Sequence, residues 1–258
     1  MTPRSALPPR SSAARRRLGL AASPLAIAAA LAVAPAATEA GPKNGQVRRG
    51  EAQITTRGNV TEIRQGGAKA IIEWDSFDIE TDEVVRFLQP GRNATALNRV
   101  LDAAPSHIRG RLEANGNVWI VNRHGVIFHS ASVVDVGGLL ASTADITNDD
   151  FMAGRYRFGI PGAPGARVVN EGEITFADAG LVALIGPHAA NRGTIRGRVG
   201  KVVVGGAETY AVDLAGDGLF AFELDEATTG VSAEQAGEIV AAGGVVEIGV
   251  AAADALVD

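Results

Sequence analysis

The stretch "NEGEITFADAGLVALIG" at residues 170–186 recurs twice in altered form, as "NRGTIRGRVGKVVVG" at 191–205 and "QAGEIVAAGGVVEIG" at 235–249. Each copy begins with Asn or Gln, has Gly two residues later and Ile two residues after that, and reaches another Gly before an apolar run. The first two copies begin 21 residues apart, and the third begins 44 residues after the second. Self-similarity at such a short period indicates a solenoid.

The residues within each unit indicate the kind of solenoid. Apolar residues alternate or run in groups of three to five between Gly and Asn, and no unit holds an amphipathic stretch long enough for a pair of helices. Three strands of about five residues joined by short turns use roughly 20 residues, which is one coil of a right-handed parallel β-helix. About 200 residues at roughly 20 per coil therefore predict an all-β solenoid of about ten coils. Since stacked strands lie about 4.8 Å apart, such a solenoid would be a rod about 50 Å long.

The turn residues of the repeat are the first candidate site residues. Asn170 and Gly172 hold the same places in their unit as Asn191 and Gly193 in the next. We expect the two Asn side chains to lie at the same turn of successive coils, because Asn hydrogen-bonds locally and tolerates left-handed backbone geometry.

A first interruption of the repeat lies at residues 142–154. Thr147 is a candidate helix N-cap, and Asp149 and Asp150 would fall in the first turn, which predicts a short helix. Adjacent residues of a helix point about 100° apart, so these two carboxylates are not expected to form a general acid/base pair.

A second interruption consists of two strand-like segments, 208–214 and 219–224, about the turn sequence "AGDG". It predicts a β-hairpin projecting from the coils. The run Asp213–Gly218 has some features of a calcium loop, but it lacks the alternating acids and the terminal Glu of such loops. A hairpin turn is therefore the favoured interpretation.

The stretch "NVWIVNRHGVIFHSAS" at residues 117–132 holds two apolar runs separated only by Asn122, Arg123, His124 and Gly125. A type I turn favours Asn at its first position and Gly at its fourth, and Arg is tolerated at the second. His at the third position tolerates unusual backbone angles better than most residues. The tetrapeptide therefore predicts a tight corner between two inward-facing strands.

The N-terminus has the pattern of an export signal. Residues 1–17 carry five arginines and no acid, and residues 18–37 are uncharged and rich in Ala and Leu. A basic region, an apolar region and small residues before a polar segment predict a signal peptide over 1–40, cleaved after Ala36 or Ala40. A membrane anchor is the alternative, because about 20 apolar residues can span a bilayer; the prolines and the alanine bias argue against it.

The remaining residues, 41–258, are predicted to form a single β-helix domain. They hold 19 of the 24 basic and 28 of the 29 acidic residues of the chain, a net charge of −9. This acidity argues against nucleic-acid binding. The chain has no cysteine, which suits a protein that crosses a second membrane unfolded, without early crosslinks.

Five blocks in order along the chain resemble the two-partner secretion domain that begins the filamentous haemagglutinins and high-molecular-weight adhesins of Gram-negative bacteria. The resemblance runs from about residue 45 to 250. The blocks are "IIEWDSFDIETDEVVRFLQPG", "ATALNRV", "GRLEANGNVWIVNRHGVIF", "VVDVGGLLASTADI" and "VVNEGEIT". The resemblance implies a secreted or cell-surface protein that reaches the outside through the periplasm and an outer-membrane β-barrel transporter. It further implies adhesion to a host-cell or glycan receptor, with no cofactor and no stable membrane anchor.

The family's Asn-Pro-Asn-Gly motif aligns with the corner at 122–125. Asn122 and Gly125 match it, while Arg123 and His124 depart from it. The resemblance assigns this tetrapeptide to the secretion motif, with Asn115 and Gly116 as a supporting turn. A second family motif, Asn-Pro-Asn-Leu, has no clear counterpart, since "RNATALNRV" occupies that region, and its role is not transferred.

Catalytic and metal chemistry is the remaining question. Of His107, His124, His129 and His188, only His124 and His129 have a metal-like spacing, and no cysteine or suitably spaced acid joins them. No serine lies in a Gly-x-Ser-x-Gly context. Since parallel β-helices also host polysaccharide lyases and hydrolases, a carbohydrate-active enzyme is the alternative function; we predict no catalytic residue and no metal site.

Overall fold

The computed structural model describes residues 41–213, 221–224 and 230–250. This part of the chain is a right-handed parallel β-helix with one short helix and one hairpin, which confirms the predicted fold class. The predicted signal peptide, residues 1–40, and the predicted hairpin turn, residues 215–218, lie outside the described residues.

Three sheets form the faces of the coils. The first sheet runs, in spatial order, through β1 (Gln46–Arg49), β4 (Lys69–Trp74), β6 (Thr95–Val100), β9 (Asn117–Asn122), β12 (Gly138–Ser142), β16 (Leu181–Gly186), β19 (Lys201–Gly206) and β24 (Val245–Val250). The second runs through β2 (Ala52–Arg57), β3 (Val60–Gln65), β5 (Val84–Leu88), β8 (Arg111–Ala114), β11 (Val133–Val136), β15 (Glu173–Phe176), β18 (Thr194–Arg198) and β23 (Glu238–Ala242). The third runs through β22 (Ser232–Gln235), β17 (His188–Asn191), β14 (Arg167–Asn170), β10 (Gly125–Phe128) and β7 (Ser106–Ile108).

The coils stack in register, so that like side chains lie above one another. Val118 pairs with Leu139, Leu139 with Val182 and Val182 with Val202, and all four are buried inside the coils. At the N-terminal end, β1 and β2 pair antiparallel with β4 and β3 and cover the first coil. Such pairing covers the edges of β4 and β3, and the short strands β1 and β2 become the edge strands at that end.

The number of coils is smaller than the sequence predicted. Among the described residues, the first sheet holds β1 and seven parallel strands, where about ten coils were expected. The difference arises because the segment 143–166 and the described residues 207–213 and 221–224 leave the coil path, as do the residues of the N-terminal cap. In the last described coil, Val246 and Ile248 lie in the inward-facing columns and are half exposed.

The outer face of the first sheet carries a second apolar core. Trp119 pairs in register with Leu97 and Leu140, on the face of the sheet opposite to Val118. Phe151 of α1 (Asn148–Ala153) and Phe158 of β13 (Tyr156–Phe158) pack against this column. The interrupting segments therefore serve to bury an apolar face that the coils alone would expose.

The helix prediction is confirmed at its N-terminus. The hydroxyl of Thr147 accepts a hydrogen bond from the backbone N–H of Asp150 at 3.1 Å, and Asp149 and Asp150 lie in the first turn. Gly154 ends the helix with φ +80°. The carboxylates compensate the helix dipole, as the sequence indicated.

The hairpin prediction is confirmed with shorter strands, β20 (Tyr210–Asp213) and β21 (Ala221–Leu224). β20 also pairs antiparallel with β13, which makes a three-stranded sheet beside the coils. Tyr210 is fully buried, and its ring stacks on that of Phe158 at 4.6 Å between centroids. The two interruptions thus form one structure, a relationship that the sequence did not reveal.

Candidate recognition site

The tetrapeptide at 122–125 is a corner between two sheets. Asn122 ends β9 in the first sheet, and Gly125 begins β10 in the third, with only Arg123 and His124 between them. The predicted corner between inward-facing strands is therefore present. Both interruptions leave the coil at the same side, between the first and third sheets.

Asn122 joins this corner to the preceding coil. Its side chain is fully buried, and its Oδ1 accepts a hydrogen bond from the backbone N–H of His124 at 2.9 Å. Its Nδ2 donates to the carbonyl of Ala104 and to the hydroxyl of Ser106, both at 3.0 Å. Both amide N–H groups and the amide oxygen make hydrogen bonds within the protein and the side chain is fully buried, so Asn122 shapes the corner rather than contacting a partner directly.

Gly125 is required for two independent reasons. Its φ is +126°, a region that residues with a side chain rarely adopt. A Cβ built there would lie 2.6 Å from the carbonyl oxygen of Arg167 in the next coil. The glycine of the tetrapeptide is thus fixed by backbone geometry and by the approach of the neighbouring strand.

Arg123 and His124 connect the corner to two flanking loops. Arg123 Nε donates to the carbonyl of Pro161 at 3.1 Å, and the carbonyl of Arg123 accepts from the backbone N–H of Ala163 at 2.7 Å. The ring Nδ1 of His124 lies 2.9 Å from the carbonyl of Asp102, so it carries the proton. Arg123 and His124, the two residues that depart from the family motif, therefore attach the loops 160–163 and 101–104 to the corner.

We call the exposed surface around this turn the corner patch: residues 101–104, 123–124 and 160–163. Leu101 is 56% exposed and Ile160 is 40% exposed. Arg123 is exposed beside them. The patch offers apolar contacts, the positive charge of Arg123 and the carboxylate of Asp102.

The supporting turn at Asn115 and Gly116 also joins neighbouring coils. Asn115 Oδ1 accepts from the backbone N–H of Gln89, and its Nδ2 donates to the carbonyl of the same residue, both at 2.8 Å. A Cβ at Gly116 would lie 2.7 Å from the carbonyl oxygen of Ala94. This turn, which lies between the second and first sheets, therefore connects neighbouring coils by hydrogen bonds.

The repeat turns form two ladders. Asn170 Nδ2 donates to Asn191 Oδ1 at 2.8 Å, and a Cβ at Gly193 would lie 2.1 Å from the carbonyl oxygen of Gly172. The predicted stacking is thus present. Asn170 and Asn191 do not use the left-handed backbone that Asn tolerates, because the non-glycine residues with positive φ in the described structure are Asn44, Ala179 and Val199. Asn170 and Asn191 instead end strands in extended geometry and use their amides to turn the chain.

His129 pairs with His107 and not with His124, the partner that the sequence spacing suggested. His107 Nδ1 lies 2.9 Å from His129 Nε2, whereas His124 is bound to the Asp102 carbonyl, as described above. Burial, followed by the charges of Arg109 and His107, lowers the pKa of His129 below its ordinary value. Nowhere in the described residues do three or more His, Cys, Asp or Glu side chains form a group that could hold a metal ion.

Arg99 forms an ion-pair network that the sequence did not reveal. Its Nε lies 2.7 and 3.0 Å from the two carboxylate oxygens of Asp145, and one terminal nitrogen donates to Asn148 at 2.7 Å. A second terminal nitrogen donates to the carbonyl of Ile146 at 2.6 Å. The network attaches the segment around α1 to the first sheet, and this positions the loop at 160–163.

None of the described helices is long and apolar enough to span a membrane.

Comparison with known proteins gives matches of three kinds. A family model described as the TPS secretion domain matches residues 36–256. Two curated relatives, both named heme/hemopexin-binding protein and both from Haemophilus influenzae, are 42% identical over 104 residues and 41% identical over 105 residues.

These matches cover 40% and 41% of this chain but 11% and 12% of the relatives. The crystal structure of the HMW1 secretion domain from Haemophilus influenzae is similar to this chain with a TM-score of 0.72 and 29% identity. That similarity covers 80% of this chain and 57% of the other. The chain therefore spans only a part of the length of each protein it matches.

Proposed function

The chain belongs to the TPS secretion domain family, and on that premise we propose that it is the secretion module of an exported surface protein, recognised by an outer-membrane β-barrel transporter. Proteins with this domain are secreted across the Gram-negative outer membrane. The match of the family model over residues 36–256 is the observation that carries the proposal. The division into a signal peptide at 1–40 and one domain at 41–258 is part of the proposal; the family match begins at residue 36, within the predicted signal peptide.

The architecture suits transport of an unfolded chain. Each coil pairs mainly with the coil before it and the coil after it, so coils can form one upon another as they emerge. Folded coils cannot slide back through a narrow pore, and folding outside the cell then favours outward transport. The absence of cysteine leaves no crosslink to form before the chain has crossed.

The corner patch is the surface that we assign to recognition by the transporter. Two exposed aliphatic residues, Leu101 and Ile160, flank the positive charge of Arg123. The Asn122 amide and the Arg123 carbonyl hold the patch in one conformation, so binding it would cost little conformational entropy. The tetrapeptide acts in this proposal as a scaffold, and the neighbouring loops provide the contacts.

An adhesive role for the exported protein, with a host-cell or glycan receptor, is the finer part of the proposal. The names of the heme/hemopexin-binding relatives do not transfer, since this chain matches 11–12% of their length. The alternative of a carbohydrate-active enzyme has less support, because the family is one of secretion domains and not of enzymes.

Transplantation of the domain tests the proposed function. Residues 1–258 would be fused in front of a cysteine-free passenger that does not leave the periplasm by itself, and the passenger would be assayed in the medium. We expect release only when the fusion and the transporter are both present. A passenger that stays in the periplasm in the presence of the transporter would exclude the chain as a secretion module.

A single substitution tests the corner patch. Leu101→Asp places a charge in the apolar part of the patch, and Val199→Asp is the matched control, because Val199 is 59% exposed at a distant turn. We expect the first variant to lower transporter-dependent release and the second to leave it unchanged, with both variants folded by circular dichroism. Equal release of the two variants would remove the patch from the proposal while leaving the export function intact.

A further inference from the structure

A groove of about 390 Å³ lies on the outer face of the first sheet. Its floor includes Trp119 and Leu181, and Tyr156 of β13 stands at one side. The turns that carry Arg92 and Asp178 form the opposite side. The volume lies within the range of about 300–1,000 Å³ that is usual for small-molecule sites.

Glycines keep the part of the groove's floor beside Trp119 and Leu181 free of side chains. Gly137 and Gly180 line it in neighbouring coils, and a Cβ at Gly180 would lie 2.3 Å from the carbonyl oxygen of Gly137. A Cβ at Gly137 would in turn lie 2.6 Å from the carbonyl oxygen of Gly116. The concavity is therefore built into the stacking of the coils and does not depend on a flexible loop.

The polar groups around the groove are mainly hydrogen-bond donors. The guanidinium of Arg92 and the amide of Asn93 make no hydrogen bond to any other residue in the described part of the chain, and both residues are exposed. Lys69 donates to the carbonyls of Phe151 and Met152, which leaves one of its three N–H groups for another acceptor.

The charge of the groove differs from that of the chain. Asp178 is the acidic residue of the lining, and Arg198 neutralises it through two contacts at 2.7 and 3.2 Å. Arg92 and Lys69 are the positive charges of the lining, and the charge of Arg92 also helps to lower the pKa of Asp178, although residues 41–258 carry a net charge of −9. A donor-rich, positively charged groove with an aromatic wall is complementary to an acceptor-rich anion with an apolar face.

We infer that this groove binds an acidic sugar residue, a pyranose ring that carries a carboxylate. The carboxylate lies between Arg92 and Lys69, and the ring packs against Tyr156, beside Trp119, which is only 4% exposed. One hydroxyl group bonds to the amide of Asn93, and another donates to Oδ1 of Asn117, whose Nδ2 already donates to the carbonyls of Arg92 and Ala94. The inference deepens the adhesive role proposed above. It does not depend on export, because binding is measured on the purified chain.

The two tryptophans provide a built-in measurement. Trp119 lines the groove, whereas Trp74 is buried inside the coils with its indole N–H donated to Asn98 Oδ1 at 3.0 Å. Purified, ¹⁵N-labelled chain would be titrated with D-glucuronate, and the two indole N–H resonances would be followed. We expect a saturable shift of the Trp119 resonance with a dissociation constant of about 1–10 mM, and no shift of the Trp74 resonance.

Matched variants and probes make the result decisive. Arg92→Met should weaken glucuronate binding about tenfold, and Arg57→Met, at an exposed site on the N-terminal cap, should leave it unchanged. D-glucose, which lacks the carboxylate, should bind about tenfold more weakly.

Three outcomes would overturn the inference. The first is an unmoved Trp119 resonance at about 50 mM glucuronate, well above the expected dissociation constant. The second is equal binding by the Arg92→Met and wild-type chains. The third is equally tight binding of N-acetylaspartate, which would assign the groove to acidic peptides and not to sugars. None of these outcomes bears on the export function, which the passenger fusion tests separately.

Discussion

Asn170 and Asn191 lie one above the other in consecutive coils, and Nδ2 of Asn170 donates a hydrogen bond to Oδ1 of Asn191 at 2.8 Å. Both side chains are fully buried. The ladder continues to the next coil, because Nδ2 of Asn191 donates to Oε1 of Gln235 at 3.1 Å. The ladder connects three coils through one line of amides, and it stabilises the turns that the sequence repeat marks.

The ladder should be costly to break in the middle. Asn191→Ala leaves a buried amide donor on Asn170 and an acceptor on Gln235 without their partner, and we expect a loss of about 1–3 kcal/mol in the free energy of unfolding. The measurement is urea unfolding. Asn93→Ala, at an exposed position, is the control and should change stability by less than about 0.5 kcal/mol. A similar small effect for both variants would show that the ladder does not stabilise the fold.

The glycine ladder makes a second prediction. A Cβ at Gly193 would lie 2.1 Å from the carbonyl oxygen of Gly172, whereas a Cβ at Gly67 would meet nothing within 4 Å. Gly193→Ala should therefore lower the free energy of unfolding by about 1–3 kcal/mol or more, because backbone atoms of neighbouring coils must separate. Gly67→Ala should be neutral or slightly stabilising in the same unfolding assay. Equal stabilities would contradict the close approach of the coils.

Substitutions at Arg123 and Gly125 of the corner should have different effects on stability. The backbone N–H of Arg123 donates no hydrogen bond within the described structure. Arg123→Pro should therefore leave the free energy of unfolding unchanged or raise it by up to about 1 kcal/mol. Gly125→Val should lower stability by about 2–4 kcal/mol, because it strains φ and meets the Arg167 carbonyl. Calorimetric melting of both variants is the measurement. A large loss with Arg123→Pro would mean that the turn does not have the predicted geometry.

The Arg99 network makes a prediction about a buried ion pair. Its side chain and that of Asp145 are 11% and 12% exposed, so Arg99→Met leaves the carboxylate desolvated and unpaired. We expect a loss of about 3–5 kcal/mol in the free energy of unfolding. Arg64→Met breaks an exposed pair with Glu62 and should cost less than about 1 kcal/mol. If the two losses measured by urea unfolding were equal, the segment around α1 would not depend on this network.

The pair of His107 and His129 makes a prediction about pH. Since the pKa of His129 is lower in the folded chain than in the unfolded chain, the unfolded state binds more protons as the pH falls through about 6.5. The contribution of His129 is therefore favourable above that pH and is lost below it. Melting temperatures from about pH 7.5 to about pH 5.5 should fall less steeply in His129→Gln than in the wild-type chain.

The control for this pH dependence is Asn93→Ala, which changes an exposed residue without a titratable group. It should keep the pH dependence of the wild-type chain. A slope that is unchanged in His129→Gln would mean that the pair does not contribute to the acid sensitivity of the fold.

The repeat made the coils predictable, because each side chain that faces inward must match the one above it. Asn170, Gly172, Asn191 and Gly193 recur at one period, and the structure stacks them as the sequence indicated. These Asn residues do not need the left-handed backbone that Asn tolerates, since extended strand ends with amide hydrogen bonds turn the chain equally well.

The second core was not predicted, although one signal was present. The unbroken apolar run Val118–Val121 leaves no polar face, which is typical of a strand that is buried on both sides. The segments that cover it lie far along the chain, and neither the packing of Phe151 on Trp119 nor the pairing of β13 with β20 follows from periodicity.

The approach of His107 to His129 could have been found, because the two residues lie 22 positions apart, about one coil of the repeat. The network of Arg99 and Asp145 could not, since these residues are 46 positions apart across an interruption. Pairwise contacts between an insertion and the coils leave no repeating pattern in a single sequence.

The central claim, that the chain leaves the cell through a dedicated transporter, is tested most directly by pulse-labelling in cells with and without that transporter. The quantity measured is the fraction of newly made chain in the medium relative to the periplasm. The account predicts that the chain reaches the medium when the transporter is present and accumulates in the periplasm when it is absent. Equal fractions in the medium in the two strains would contradict it.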